Sequence, residues 1–165
     1  DFDLRKSIRY EDAPQAGDQY DFVTDTELNS AVRLVAKAKA GKVTGTCADN
    51  LGVGGEKIIV YAYKKGTFDK EMELTGQGEG ELQFKNAVTS AVVNSQGAYT
   101  LAFLEEGDYE LHFFGYEDKD NDGQMEIKGE LKLELLTNLG LSLQNLTVDA
   151  NATVSVAVLV LGLLP

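Results

Sequence analysis

The chain has 165 residues, 43% hydrophobic and 25% charged, an ordinary balance for one globular domain that buries its core without disulfide staples. Its 15 basic and 27 acidic side chains give a formal charge of −12, a field that repels DNA, RNA and anionic lipid and attracts cations. Two prolines against 17 glycines fit a turn-rich β protein, and the single cysteine, Cys47, excludes an internal disulfide and a Cys-rich zinc site.

Residues 1–40 read differently from the rest. "DFDLRKSIRYED" alternates, and "APQAGDQYDFVTD" is a polar excursion. This segment is expected to be the tail of an upstream domain packed on the main body, which places the domain boundaries at 1–40 and 41–165. The chain opens at Asp1 with no Met, basic n-region or apolar h-region, so either a targeting segment is expected to have been removed or the chain is a piece of something longer. "TELNSAVRLVAKAKA", Thr26 to Ala40, has helix-friendly composition. Yet Val32, Leu34, Ala36 and Ala38 alternate with Arg33, Val35, Lys37 and Lys39, which predicts a strand after a short turn at Glu27 to Ser30.

From Gly41 the period of two is clear. "KVTGTCA" predicts a strand, and "DNLGVGGE" a loop. In "KIIVYAYKKG", Ile59, Tyr61 and Tyr63 fall on one face and Ile58, Val60 and Ala62 on the other. "TGQGEGE" predicts a connection. Strands are then expected at "FKNAVTSAVV", "AYTLAFL", "YELHFFGY", "MEIKGELKLELL", "LSLQNLTV" and "ATVSVAVLVLGLL", with turns at "NSQG" and "EEGD". The apolar ending is roughly a dozen residues where a spanning helix needs about twenty, so it predicts a buried edge-to-core strand and no transmembrane segment. The whole pattern predicts an all-β, antiparallel Greek-key β-sandwich.

"GKVTGTC", "KIIVYAYKKG" and "AVTSAVVNSQGAYTLAFLEEGDYELHFFGY" together resemble the prealbumin-like (transthyretin-like) modules grouped with carboxypeptidase-regulatory-like and Cna-B-type domains. Gly41, Val43 and Gly45 match a G-x-V-x-G opening. Thr89, Gly97, Tyr99, Leu101, Leu104, Gly107, Tyr109 and Leu111 match the second part, while Asn94 and Ser95 stand near a usual Asp. The resemblance spans about Gly41 to Tyr116. Gly97 and Gly107 are suited to turns with positive φ between adjacent strands. Tyr99, Leu101 and Phe103, like Tyr109, Leu111 and Phe113, repeat at period two and are expected to face one core.

"DFDLRKSI" and "VRLVAKAKAGKVTG", with Val32, Arg33 and Leu34 at the junction, also look like the tail of an uncharacterised bacterial envelope-lipoprotein domain that precedes such a module. The resemblance implies an exported, envelope-located (lipo)protein. It implies no enzymatic activity. A hydrolase of an oxidised urate product shares the fold but uses several His and Arg residues and a characteristic C-terminal tetrapeptide, which one His and "GLLP" do not fit. Cna-B-type modules form Lys–Asn crosslinks; Lys57 and Lys64 flank a strand but are not assigned that role.

The candidate site lies in "YEDKDNDGQMEIKGE". Asp118, Asp120, Asp122 and Gly123 occupy positions 1, 3, 5 and 6 of a calcium loop, with the Gln124 carbonyl at 7 and Glu126 at 9. Position 12 is Gly129, and the flanks read as strands, so this is not an EF-hand. It looks like the D-x-D-x-D-G-x-x-[DE] loop that joins strands in several extracellular proteins. Alternate Asp residues converge hard oxygen donors, and Ca²⁺ takes six to eight of these at about 2.3–2.6 Å. An ordinary Asn-Asp-Gly turn accounts for the same residues, and both readings stand at this point.

His112 is the only histidine and Cys47 the only cysteine. His112, beside Glu110 and opposite Tyr109, Leu111 and Phe113, predicts a surface or cross-strand pairing role. Cys47 predicts a small buried hydrophobe. Tyr10, Tyr20, Tyr61, Tyr63 and Tyr116 are the candidates for stacking on a carbohydrate. "NLT" at Asn145 and "NAT" at Asn151 match the glycosylation sequon, and in a bacterial chain they are expected to be chance matches. Two functions follow: a non-catalytic structural or spacer module of a cell-envelope protein with a structural Ca²⁺ loop, or a module that binds carbohydrate or protein at the cell surface.

Overall fold

The computed structural model describes residues 8–10, 20–22, 35–76, 82–137 and 140–165. Two short strands, β1 (Ile8–Tyr10) and β2 (Tyr20–Phe22), pair antiparallel with Ile8 opposite Phe22. Of residues 1–40, which are expected to pack on the main body, 1–7, 11–19 and 23–34 lie outside the described residues; at the end of the segment Asn151 Nδ2 donates to Ala38 O at 2.7 Å.

The main body is all-β. Its strands are β3 (Ala40–Ala48), β4 (Lys57–Lys64), β5 (Thr89–Val92), β6 (Ala98–Glu105), β7 (Gly107–Glu117), β8 (Glu126–Leu135), β9 (Leu146–Val148) and β10 (Thr153–Leu163). They form one sheet in the order β5-β4-β7-β8-β10-β3-β6, with β9 also paired to β7. The strands at the two ends of this path, β5 and β6, are consecutive in the chain. A tight turn joins them, with Gly97 N donating to Asn94 O at 2.8 Å and Asn94 N to Ala98 O at 2.9 Å. The sheet therefore curls back until its ends meet, close to a barrel.

β8 makes this curl possible. Glu126 to Glu130 pair with β7, and Leu131 to Leu135 pair with β10. Each partner interface carries a register shift, between Gly115 and Tyr116 and between Val160 and Gly162. Bulges of this kind bend a strand and let it pass from one layer to the next.

The interior is filled by alternate residues of every long strand. Val43, Val60, Leu101, Leu111, Phe113, Leu131, Val156, Val158 and Val160 are all nearly inaccessible. Each such side chain contributes roughly 1.5–3 kcal/mol through removal from water. β4 has the two faces its alternation predicts, and both are covered. Ile58, Val60 and Ala62 enter the interior, while Tyr61 and Tyr63 enter a second cluster on the outer side.

That second cluster is covered by a short helix, which the alternation does not predict, and by the chain around Phe84. Helix α1 (Lys70–Thr75) starts at Asp69, whose carboxylate accepts from Met72 N at 3.0 Å, an N-cap. The chain returns across the sheet through Phe84, whose ring stacks on Tyr61 at 4.0 Å. Glu73 of α1 is fully buried. Its carboxylate accepts from Tyr63 Oη at 2.9 Å and from Asn86 Nδ2 at 2.6 Å.

Several expectations are corrected. The sheet is not wholly antiparallel: β10 runs parallel to β3, with Val154 opposite Val43. β10 is also no edge strand, since it lies between β8 and β3. The strand predicted through Val35 to Lys39 is replaced by a 3-10 turn at Lys37–Lys39, and β3 begins at Ala40; residues 26–34 lie outside the described residues. "FKNAVTSAVV" is strand only over Thr89–Val92, and "LSLQNLTV" only over Leu146–Val148.

β6 and β7 are not a hairpin. β6 pairs with β3, and β7 with β4. The one-residue connection at Glu106 crosses between layers, and Tyr109 braces it. The Tyr109 hydroxyl donates to Glu105 O at 2.7 Å and accepts from Lys64 Nζ at 2.8 Å. Phe103 does not follow Tyr99 and Leu101 inward. It sits at φ +55°, half-exposed, and Leu104 takes its place in the core. The register shift between Gly41 and Val43 marks this bulge.

The close approach of β3, β6 and β10 explains one glycine of the G-x-V-x-G stretch. A Cβ on Gly45 would overlap the Val156 carbonyl oxygen and stand 2.6 Å from Tyr99 Oη. That hydroxyl donates to Val156 O at 2.9 Å, so only glycine leaves room for the contact.

A candidate cation-binding loop

Residues 118–125 join β7 to β8 at one end of the sheet. The Asp118, Asp120 and Asp122 carboxylates each place an oxygen within 4.8 Å of the others. Asp118 is half-buried, and Asp120 and Asp122 are exposed. The loop is held by its own carboxylates. Asp118 Oδ1 accepts from Asp122 N at 3.1 Å, and Oδ2 accepts from Gly123 N at 2.9 Å. Asp120 Oδ1 accepts from Asp122 N at 3.3 Å. Asn121 and Gly123 take φ of +61° and +88°, the left-handed conformations that a tight coil requires and that Asn and Gly tolerate best.

The side chains of the other two predicted residues, Gln124 and Glu126, make local hydrogen bonds. The Gln124 carboxamide is turned toward Asp122, with Nε2 donating to Oδ2 at 2.9 Å. Glu126, the first residue of β8, accepts from Lys119 N at 2.9 Å through Oε2. The structure thus brings together the carboxylates of Asp118, Asp120 and Asp122, while the side chains of Gln124 and Glu126 brace the loop. Glu117 and Lys128 pair below it at 2.9 Å.

The neighbouring 49–56 loop leans on the same end. Asp49 caps it, accepting from Val53 N at 3.0 Å and Gly54 N at 2.7 Å. It runs beside β7 through Glu56 N to Tyr116 O at 2.8 Å and Tyr116 N to Gly54 O at 3.1 Å. Glu56 Oε1 then receives a long contact from Asp118 N at 3.4 Å. A cleft of about 430 Å³ at this end is lined by Cys47, Asp49, Glu56, Lys57, Asn94 and Ser95, among others.

The one cysteine and the one histidine are engaged elsewhere. Cys47 is a buried free thiol in the interior cluster. Burial, with Asp49 nearby, pushes it up to about 12, so it stays protonated and behaves as a small hydrophobe. His112 lies on the outer side of β7, 2.7 Å from Glu130 through Nδ1. The Phe68 ring stacks on it at 3.6 Å. This is the expected cross-strand pairing, in a half-buried site instead of an exposed one. Its Nε2 is buried without a hydrogen-bond partner among the described residues.

Three of the five carbohydrate-stacking candidates are not available. Tyr61, Tyr63 and Tyr116 are buried in a cluster with Phe68, Leu74, Phe84 and Ala87, and Tyr61 Oη and Tyr116 Oη bond each other at 2.6 Å. The side chains of Tyr10 and Tyr20 lie outside the described residues. Among the described residues no helix is long and apolar enough to cross a membrane. Set against known proteins, the chain matches no family model, no curated protein and no solved structure.

Proposed function

We propose that this chain is a non-catalytic structural or spacer module of an exported cell-envelope (lipo)protein, of the prealbumin-like Greek-key sandwich type, in which the 118–126 loop takes a structural Ca²⁺. The observation that carries this reading is the convergence of the Asp118, Asp120 and Asp122 oxygens within 4.8 Å at the tip joining β7 to β8. Hard carboxylate oxygens in a glycine-containing coil fit Ca²⁺ and not a soft transition metal. The Gln124 carbonyl and Glu126 would complete the donor set. The cation supplies charge compensation for three carboxylates, and the net charge of −12 concentrates cations around the chain.

The spacer role rests on how the potential chemistry is tied up. His112 is held by Glu130 and stacked on by Phe68, and the Cys47 thiol is buried. Titration calorimetry on chelator-stripped protein tests the metal reading. Saturable Ca²⁺ heat that Asp120→Asn removes supports it, and no heat at millimolar Ca²⁺ refutes it.

The second reading is a carbohydrate- or protein-binding module. The cleft of about 430 Å³ lined by Asp49, Glu56, Lys57 and Ile58, at the same end as the acidic loop, favours it; the burial of Tyr61, Tyr63 and Tyr116 counts against stacking there. Glycan-array binding that Lys57→Ala abolishes would favour this alternative.

A further inference from the structure

Asp122–Gly123 is the chain's one Asp-Gly step, and the chain has no Asn-Gly step. Both residues are exposed at the loop tip. Gly123 has φ +88°, and a Cβ added there would meet nothing within 4 Å. Gly123 thus puts no side chain beside its own amide nitrogen, which is bonded to the carbonyl carbon of Asp122, a residue whose side chain carries the carboxyl that can react with it. The folded loop ties down both groups. Gly123 N–H donates to Asp118 Oδ2 at 2.9 Å. The Asp122 carboxylate is held by Gln124 N at 2.7 Å on Oδ1 and by Gln124 Nε2 at 2.9 Å on Oδ2.

We propose that Asp122–Gly123 is a site of spontaneous aspartate isomerisation, and that Asp118 and Gln124 set its rate by occupying the two reacting groups. The Gly123 nitrogen attacks Cγ of the protonated Asp122 carboxyl. A C–N bond forms, the nitrogen gives up its proton, and one carboxyl oxygen departs as water, leaving a five-membered succinimide. Water then adds back. Opening at the former main-chain carbonyl leaves the chain running through the side-chain carbon, as isoaspartate. No oxidant, cofactor or metal enters the balance. The product inserts a methylene into the β7–β8 connection and withdraws the Asp122 side-chain carboxylate from the three-carboxylate group. The loop would thus carry a one-way ageing reaction that dismantles its own geometry, whether or not it holds an ion.

The test ages the full chain in mildly acidic buffer and maps isoaspartate by enzymatic methylation of isoaspartyl groups followed by peptide mass spectrometry. The label should fall on the peptide holding Asp122, more slowly than in a free peptide of residues 116–130. Asp118→Ala and Gln124→Ala should each raise the rate several-fold, and Gly123→Ala should lower it many-fold. Near-ultraviolet circular dichroism identifies any variant that has lost its fold, and the comparison of the wild-type chain with the free peptide needs no variant. Label absent from Asp122, a folded chain that ages as fast as the peptide, or folded Asp118→Ala and Gln124→Ala chains that age like wild type would overturn the proposal.

Discussion

His112 Nδ1 lies 2.7 Å from Glu130 Oε1, on the diagonal between β7 and β8 at the point where β8 leaves β7 for β10. Phe114 is the residue directly opposite Glu130, so His112 reaches across from two positions back. Lys70 of α1 approaches the other Glu130 oxygen at 3.7 Å, and Glu110 accepts from Phe68 N at 2.8 Å. One histidine thereby ties the turning point of the sheet to the segment that covers it.

Removal of that imidazole should be costly because Glu130 is nearly buried. His112→Ala is expected to lower stability by about 2 kcal/mol, leaving the carboxylate to Lys70 alone. Adding Glu130→Gln should recover part of the loss, since the uncompensated charge is gone. Urea midpoints of the two single variants and the double variant measure the coupling. Strict additivity would mean that the contact contributes nothing.

Gly45 stands where β3, β6 and β10 come closest. Gly45→Ala should destabilise by roughly 4 kcal/mol or more, because its Cβ overlaps the Val156 carbonyl and displaces the Tyr99 hydroxyl. Gly52→Ala is a control for lost glycine, since a Cβ there meets no atom and only its φ of +66° resists; its cost should be about 1 kcal/mol. Thermal unfolding of the two variants separates overlap from backbone strain.

Two buried acids make the protein sensitive to alkali. Burial raises Cys47 from 9.0 to about 12, and burial also raises Tyr99, with the nearby Cys47 adding to it. Both groups favour their neutral forms when folded. Their contribution is complete below the ordinary values, 9.0 for the thiol and 10.0 for the phenol. It falls as pH rises above them, because the unfolded chain ionises first. Urea midpoints should therefore drop from pH 9.0 towards 12, and Cys47→Ala should flatten the first part of that decline. The native thiol should also resist alkylation until the chain unfolds.

Glu73 anchors the cover over the outer aromatic cluster. Glu73→Ala strips the acceptor from Tyr63 Oη and Asn86 and should cost about 3 kcal/mol. Amide exchange should quicken at Phe84 and Ala87 before it changes in β10. Equal acceleration everywhere would show that the segment does not open on its own.

The readable part of this fold was the part governed by period. Alternation located β3, β4, β7, β8 and β10, and it assigned both faces of β4 correctly. It could not show which strands pair. The parallel β3–β10 contact and the layer crossing at Glu106 depend on partners distant in sequence. Phe103 kept the period in the sequence and lost it to a bulge. Helix α1 had a legible signal, Asp69 at the N-cap and Gly76 after the last turn, but six residues are too short to show a helical face. For the loop, spacing brought out the three Asp residues that converge. It placed the Gln124 carbonyl and Glu126 with them; the Glu126 carboxylate accepts from the Lys119 amide, a local contact that spacing does not reveal.

The most direct measurement is thermal unfolding of chelator-stripped protein with and without Ca²⁺, alongside Asp120→Asn. A cation held only by the folded loop raises the melting temperature as it saturates, and an exposed extracellular-type site should do so at about 10⁻⁴–10⁻³ M Ca²⁺. The wild-type midpoint should rise in that range while Asp120→Asn stays put. Superimposable wild-type curves at every Ca²⁺ concentration would contradict the cation-stapled strand connection.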